Sequence, residues 1–394
     1  MTSALLPVFQ PAPMVFEHGE GVWLFTANGE RYLDFGAGIA VNALGYSHPH
    51  LLDALERQSR KLWHLSNAYR IAETERLAER LTAASFADLA FFANSGAEAN
   101  ECAIKIARRH HDAHDRPERW RILTFQGAFH GRTLATMAAG GNRKYLNGFG
   151  PTVDGFDQCP LEDIAAVRAC VGPQTAAIMI EPIQGEGGLR PVSHRFLRQL
   201  RELCDAHGLL LIFDEIQCGI GRTGTLFAHQ QAGIAPDIMS LAKGLGGGFP
   251  ISACLATRAA ACGMMPGAHG STFGGNPLAG AVANAVLDIV MEAPFLADIR
   301  SKGALLRSRL EEMAARYPDF IVQVRGHGLM LGLQTTRSAP EVVEALRTHA
   351  RILTIAASDN VTRVLPPLIV TDEDIHLFAA RCNETFAHLS RQPA

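Results

Sequence analysis

The chain predicts an α/β fold, a mostly parallel sheet covered by helices on both faces, and three observations carry that expectation. Uninterrupted apolar runs such as TAAIMIEP (175–182) and LLLIFDE (209–215) read as strands buried on both sides. Amphipathic segments lie between such runs, as in HRFLRQLRELCDAHG (194–208), closed by Gly208. Finally, 394 residues with 47% hydrophobic and 19% charged content supply a core for about two to three domains, and leave disorder and coiled coil disfavoured.

From the amino end, VWLFTA and ERYLDF flank Asn28-Gly29, a strong hairpin signal. The Gly-rich stretch GAGIAVNALGYSHP follows, then LLDALERQSRKLWHL (51–65), whose leucine spacing predicts a helix. RLAERL reads as helix, DLAFFANS as strand, EANECAIKIARRHH as helix and RILTFQ as strand. After the helical PLAGAVANAVLDIVMEA (277–293) come amphipathic ALLRSRLEEMAARYP, strand-like QVRGHGLMLGLQTT and helical EVVEALRTHA. The expected division is an amino-terminal segment with the hairpin (1–50) packing on the last domain, a large domain (51–287) and a small α/β domain (288–394).

Charge and cysteine usage exclude several classes. Lys+Arg 36 against Asp+Glu 39 gives a net charge of −3, with no bulk attraction to nucleic acid or anionic membrane. No run approaches the roughly 18 apolar residues that span a bilayer, and MTSALLPVFQPAP lacks a basic leader region. Eight cysteines without a C-x-x-C pair read as free thiols. A cytoplasmic enzyme without a metal is the expectation.

Three motifs have bland readings. LLLIFDE resembles an ATPase strand, yet no Gly-Lys dipeptide exists to build the phosphate loop. Gly219, Gly221 and Gly224 spell G-x-G-x-x-G after that strand, but no apolar helix follows them, so a dinucleotide site is disfavoured. His110, His111 and His114 have zinc-like spacing among charged neighbours, and read as a solvated helix end.

The lysines are more informative, because there are only five: Lys61, Lys105, Lys144, Lys243 and Lys302. Four lie in helical or polar surface stretches. Lys243 follows the buried-strand pattern PDIMSLA and precedes GLGGGFP, so its amine sits at a strand end among glycines that admit a ligand. Desolvation there lowers an ammonium pKa and frees a nucleophile for Schiff-base chemistry. Asp214 ends its own buried strand, and adjacent parallel strands bring both residues to one carboxyl edge. A lysine and a carboxylate around a planar cofactor is what pyridoxal 5′-phosphate requires: the lysine binds the aldehyde and the acid keeps the ring nitrogen protonated.

The motifs around this pair are NSGAEANE (94–101), FHGRT (129–133), EPIQGEGG (181–188), FDEIQCGIGRTG (213–224), LAKGLGGGFP (241–250) and STFGGNPL (271–278). In that order they resemble the class-III pyridoxal-phosphate aminotransferases, from GERYLDF to RVLPPLIV, and among them the members acting on N-acylated ornithine. The resemblance implies a fold-type-I homodimer whose active sites are shared between subunits. NSGAEANE opens a helix, so Ser95, Gly96 and Ala97 would meet the cofactor phosphate at a positive helix end. By resemblance Thr272 of the neighbouring subunit donates to the same phosphate, and Ser271 lies near substrate. Phe129 would stack on the ring and Gln217 contact its phenolic oxygen. Arg132 would hold the substrate α-carboxylate, since a planar fork also fixes orientation. Glu186 and Arg363 would pair while the amino donor is bound and separate for glutamate's carboxylate.

The implied reaction is transamination from the δ-amine of N-acetylornithine to 2-oxoglutarate, with Lys243 as general base, giving N-acetylglutamate 5-semialdehyde and glutamate for arginine biosynthesis. Ornithine-type relatives carry a tyrosine shortly before A-V-N, where this chain has Gly36-Ala37-Gly38-Ile39-Ala40-Val41-Asn42. Its absence favours an acylated α-nitrogen. Succinylornithine, free ornithine and 4-aminobutyrate remain as alternative donors, as does a cofactor-binding regulatory descendant of such enzymes.

Overall fold

A computed structural model describes residues 4–391; the outermost residues of the expected first and last domains, 1–3 and 392–394, and the start of the leader reading, lie outside the described residues. The amino end forms a meander of β1 (Phe16–Glu20), β2 (Trp23–Thr26) and β3 (Arg31–Asp34). Asn28-Gly29 makes the expected turn, Gly29 at φ +81°, and sets Trp23 opposite Leu33. A single turn, α1 (Ala37–Ala40), leads to α2 (Pro49–Ser59) and α3 (Ala72–Ala83). α2 is shorter than the leucine spacing suggests: it begins at Pro49 on a His48 cap, and at its far end Trp63 Nε1 donates to Ser59 O at 2.7 Å, closing an open carbonyl of the last turn.

Strand and helix then alternate through β4 (Leu89–Ala93), α4 (Gly96–Asp112), β5 (Arg121–Phe125), α5 (Leu134–Gly140), α6 (Arg143–Leu146), β6 (Phe156–Cys159), α7 (Ile164–Cys170) and β7 (Thr175–Ile180). A short ladder of β8 (Ile183–Gln184) and β9 (Arg190–Pro191) precedes α8 (His194–His207), β10 (Leu210–Asp214), β11 (Ile238–Leu241) and β12 (Ser252–Ala256). The seven-stranded sheet has the order β4-β12-β11-β10-β7-β5-β6. From β11 to β6 the strands are parallel, and β12 is antiparallel to both its neighbours. Every residue of β7 and β10 is buried, which explains their unbroken apolar sequences. Successive residues face opposite layers: Ile178, Ile180, Leu211 and Phe213 pack with Leu197 and Leu200 of α8, whereas Ala177, Met179 and Ile212 pack with Ala103 and Ile106 of α4.

Beyond the sheet, α9 (Pro277–Val290) meets α10 (Ala293–Arg316) at a 72° bend. Then follow β13 (Ile321–His327), β14 (Met330–Thr335), α11 (Ala339–Ala350), β15 (Ile352–Leu353), β16 (Ile355–Ala357), β17 (Val361–Val364) and α12 (Asp372–Leu389). A second, antiparallel sheet has the order β13-β14-β17-β16, and Leu306, Leu310, Phe378 and Phe386 of α10 and α12 share its core with Leu331 and Leu333. β15 pairs in parallel with β3, Ile352 opposite Leu33, which joins the amino-terminal meander to this carboxyl-terminal part.

The G-x-G-x-x-G segment ties the two sheets together and holds no dinucleotide fingerprint. A Cβ on Gly221 would come 2.8 Å from Val290, and one on Gly224 would meet the Arg300 side chain, so these glycines admit α9 and α10. Between them Arg222 is fully buried, its Nη1 donating to Leu329 O at 3.2 Å and Pro366 O at 2.5 Å. Arg222→Ala leaves both carbonyls unpaired and opens a cavity, so a loss of about 2–4 kcal/mol is expected, read as a lower urea midpoint. Arg222→Met, which restores volume without the donors, recovers only part of it.

Candidate active site

β10 and β11 run side by side with Asp214 opposite Ser240, which leaves Lys243 just beyond the end of β11 on the same carboxyl edge. A cavity of about 660 Å³ opens there, a size ordinary for a small-molecule site. Ser95, Gly96, Ala97, Phe129, Arg132, Glu186, Asp214, Gln217, Lys243 and Arg363 all line it. Ser271 and the exposed Thr272 do not; Ser271 Oγ instead accepts from Gly274 N at 3.0 Å and from Asn94 Nδ2 at 3.4 Å.

Asp214 is a buried carboxylate with every contact accounted for. Oδ2 accepts from Asn100 Nδ2 and from His130 Nδ1, both at 2.8 Å, and Oδ1 accepts from Ile216 N at 3.1 Å. Burial opposes a charge on His130, but the hydrogen bond and negative charge of Asp214 outweigh it and raise the imidazole pKa above its usual value. Glu181, beneath the same cavity, accepts from Phe129 N at 2.9 Å and Gly185 N at 3.2 Å. Burial and then the charge of Asp214 push its carboxyl upward into the neutral range. Lys243 occupies a left-handed conformation, φ +44°, and its Nζ has no hydrogen-bond partner among the described residues. Burial, and next the charge of Arg363, pull its pKa down to about 8 against the opposing pull of Asp214, Glu181 and Glu186.

α4 points its amino end into the cavity. Ser95 caps it by accepting from Glu98 N, and the amides of Gly96 and Ala97, in the first turn, have no intrahelical acceptor. Glycine at 96 leaves room for the Ile216 side chain, whose Cδ1 would lie 2.8 Å from a Cβ there. Gln217 is buried with Oε1 unpartnered, and glycine at 185 makes room for its amide. Unpaired helix amides, an unpaired side-chain amide, an uncommitted amine and a buried acid thus converge on one cavity. Their donor chemistry and its size fit the pyridoxal phosphate that the motifs lead one to expect.

Two arginines complete the lining in different states. Arg132 makes no ion pair among the described residues; its guanidinium lies 3.8 Å from the ring centre of Tyr145. Arg363, delivered by β17, is buried and bonded to Glu186 Oε2 at 3.0 Å and to Ala356 O at 2.9 Å. Tyr145 OH donates to Glu186 Oε1 at 3.1 Å, so it touches both halves of this arrangement. Burial and the Glu186 charge raise its pKa. At the mouth, Ile39 and Val41 form an apolar wall. Their loop is shaped by Asp34, which accepts from Gly36 N at 2.8 Å, Ala37 N at 3.0 Å and Tyr46 OH at 2.6 Å.

Sequence reasoning missed Asn100, His130, Glu181 and Tyr145. Asn100, His130 and Glu181 stand inside the quoted motifs, where the pattern marks the segment without saying which side chain turns inward. Tyr145 was hidden by its setting, GGNRKYLNG, which reads as a polar surface loop.

Residues 8–386 match the family model described as Aminotransferase class-III. A curated relative, the acetylornithine aminotransferase of Mesorhizobium japonicum, is 60% identical over 374 residues, covering 95% of this chain and 94% of the relative. Among solved structures, the N-acetylornithine aminotransferase of Stenotrophomonas maltophilia superposes with a TM-score of 0.84 at 38% identity, covering 96% of this chain and 97% of that one. The ornithine aminotransferase of Toxoplasma gondii, solved with partial occupancy of PLP at its active site, gives 0.93 at 32% identity over 99% and 94% of the two chains. Family match, full-length identity and fold agree, and the chain belongs to the class-III aminotransferases.

Proposed function

We propose that this chain transfers the δ-amine of N-acetylornithine to 2-oxoglutarate with pyridoxal 5′-phosphate as cofactor, a step of arginine biosynthesis; its full-length relatives bear the name acetylornithine aminotransferase. The observation that carries the reading is the meeting, in one cavity, of Lys243 and Asp214 with one free arginine and one latched arginine. When bound, the cofactor supplies an electron sink for the charge left at the δ-carbon as its proton departs. Ser95, Gly96 and Ala97 would hold the phosphate, Phe129 would cover the ring face, Gln217 would contact the ring oxygen, and Asp214 would keep the ring nitrogen protonated. Asn100 and His130 aim Asp214. Lys243 Nζ would be the amine that binds the cofactor's aldehyde, and as a free base it would take the δ-carbon proton.

Charge arithmetic accounts for the two arginines. The donor carries one carboxylate, which Arg132 takes while Glu186 keeps Arg363 neutralised. The acceptor carries two, and Arg363 takes the second once Glu186 releases it. The apolar wall of Ile39 and Val41 suits an acylated α-nitrogen and offers no partner to a free ammonium. We also propose a homodimer in which Thr272 of the neighbouring subunit completes the phosphate contacts beside Ser271, and a cytoplasmic location, which eight free thiols support. The division into 1–50, 51–287 and 288–394 is supported by the bend between α9 and α10 and by the β3–β15 pairing.

The deciding experiment adds N-acetylornithine, without keto acid, to the purified holoenzyme and follows its visible absorbance. Rapid bleaching, restored by 2-oxoglutarate, is expected; bleaching by ornithine or 4-aminobutyrate in preference would overturn the donor. Lys243→Ala should keep the circular dichroism and melting behaviour of the parent and lose turnover by at least about 10²–10⁴-fold. In cofactor-free protein, reductive alkylation of Lys243 by a small aldehyde, read by peptide mass spectrometry, should rise with pH around a midpoint near 8, because only the uncharged amine reacts. Tyr145→Phe loosens the Glu186 latch, so KM for N-acetylornithine should rise about tenfold while KM for 2-oxoglutarate stays level or falls. Equal changes in both constants would deny Tyr145 that role.

A further inference from the structure

The carboxyl end of α4 gathers three metal-ligand atoms that the transamination does not use. His110 and His114 lie one helical turn apart, their ring centres 4.5 Å from each other. Cys262 arrives from the turn after β12, remote in sequence, and its Sγ lies 3.7 Å from His110 Nδ1 and 3.8 Å from His114 Nδ1. All three donor atoms fall within 4.8 Å of one another. His111, which completes the zinc-like spacing in the sequence, points elsewhere: it is buried and bonded to Ala176 O at 2.8 Å. The histidine run alone therefore reads as a helix end, and only the folded chain supplies the sulfur.

We propose that His110, His114 and Cys262 form a binding site for a thiophilic divalent cation, zinc being the best match, with water in the fourth position. A tetrahedral zinc with bonds of about 2.3 Å to sulfur and about 2.0 Å to nitrogen separates those atoms by roughly 3.5 Å. The two sulfur–nitrogen gaps, 3.7 and 3.8 Å, differ from that by a few tenths of an ångström. Two imidazoles and a thiolate select zinc over magnesium or calcium, which take oxygen ligands. Without a metal, His110 Nδ1 donates to Ala259 O at 3.1 Å and His114 Nδ1 to His110 O at 2.7 Å, so cation binding must displace both of these hydrogen bonds. On binding, Cys262 loses its thiol proton to solvent and each imidazole carries its proton on Nε2, so no electron changes hands. His114 and Cys262 are exposed, and the cation reaches them without opening the fold.

Such a cation clamps the far end of α4, whose near end holds the cavity's unpaired amides, to the segment that runs on to Ser271 and Thr272. It binds the folded chain in preference to the unfolded one and so raises thermal stability by mass action.

The test uses the holoenzyme stripped with a chelator, then titrated with cobalt(II) as a spectroscopic probe and with zinc. One cobalt per chain with a thiolate charge-transfer band is expected, together with a zinc-dependent rise in melting temperature of several degrees. Cys262→Ser should abolish the band, and His114→Ala should weaken zinc binding about tenfold or more. Both substitutions fall on exposed positions outside the active-site cavity, so transamination should persist in each. A band that survives Cys262→Ser, as it would if the exposed Cys170 were the ligand, would overturn the site. So would zinc binding that is unchanged in both variants.

Discussion

A carboxylate with almost no access to water must be satisfied by its surroundings, and Asp214 imposes that demand on the whole carboxyl edge of the parallel sheet. Three segments answer it: α4 through Asn100, the loop after β5 through His130, and the chain's own turn through Ile216 N. Each of those segments also lines the cavity, so the contacts that make the acid tolerable also bring Gly96, Phe129 and Gln217 to one place. Glu181 shows the limit of the arrangement. A second buried acid beside Asp214 is pushed toward its neutral form, whereas His130 is pushed toward its charged one. Lys243 faces this acidic floor and still loses basicity, because burial and Arg363 outweigh the attraction.

The second constraint is that the two arginines come from different sheets. Arg132 follows β5 of the parallel sheet, and Arg363 lies on β17 of the antiparallel one, opposite Gly332 and Ile355. Their separation is set by how the two parts of the chain meet, and Arg222 stands at that junction with donors to Leu329 O and Pro366 O. A buried guanidinium without an acid is tolerable because carbonyls on the far side accept from it. Arg222 thus ties stability to the spacing of the two cavity arginines although it does not line the cavity itself.

Much of this was legible beforehand, and the reasons for the remainder are physical. The strands β7 and β10 announced themselves because burial on both faces leaves no polar alternation, and Lys243 stood out because lysines are so few. The hairpin at Asn28-Gly29 is local chemistry. The end of α2 is not, since it depends on Trp63 folding back onto Ser59. The partners of Asp214, the latch made by Tyr145 and the approach of Cys262 to His110 and His114 join residues far apart in sequence, where neither period nor spacing carries information. The glycines at 219–224 match the spacing of a phosphate loop, a reading the sequence already disfavoured; only the structure shows that Gly221 and Gly224 make room for α9 and α10.

The loop that carries Ile39 and Val41 takes its shape from somewhere other than its own side chains. Asp34, itself bonded by Tyr46 OH, accepts from the amides of Gly36 and Ala37, and Ala37, Ile39 and Ala40 lie at positive φ, a conformation that a β-branched residue adopts only under strain. The Asp34 bonds do not involve the side chains of residues 39 and 41, and glycine or asparagine at 39 would relieve the strain that isoleucine carries there. In the proposed reading of this wall, a change of side chain at 39 or 41 alters the surface offered to the donor's α-nitrogen while the bonds of Asp34 beneath it stay in place.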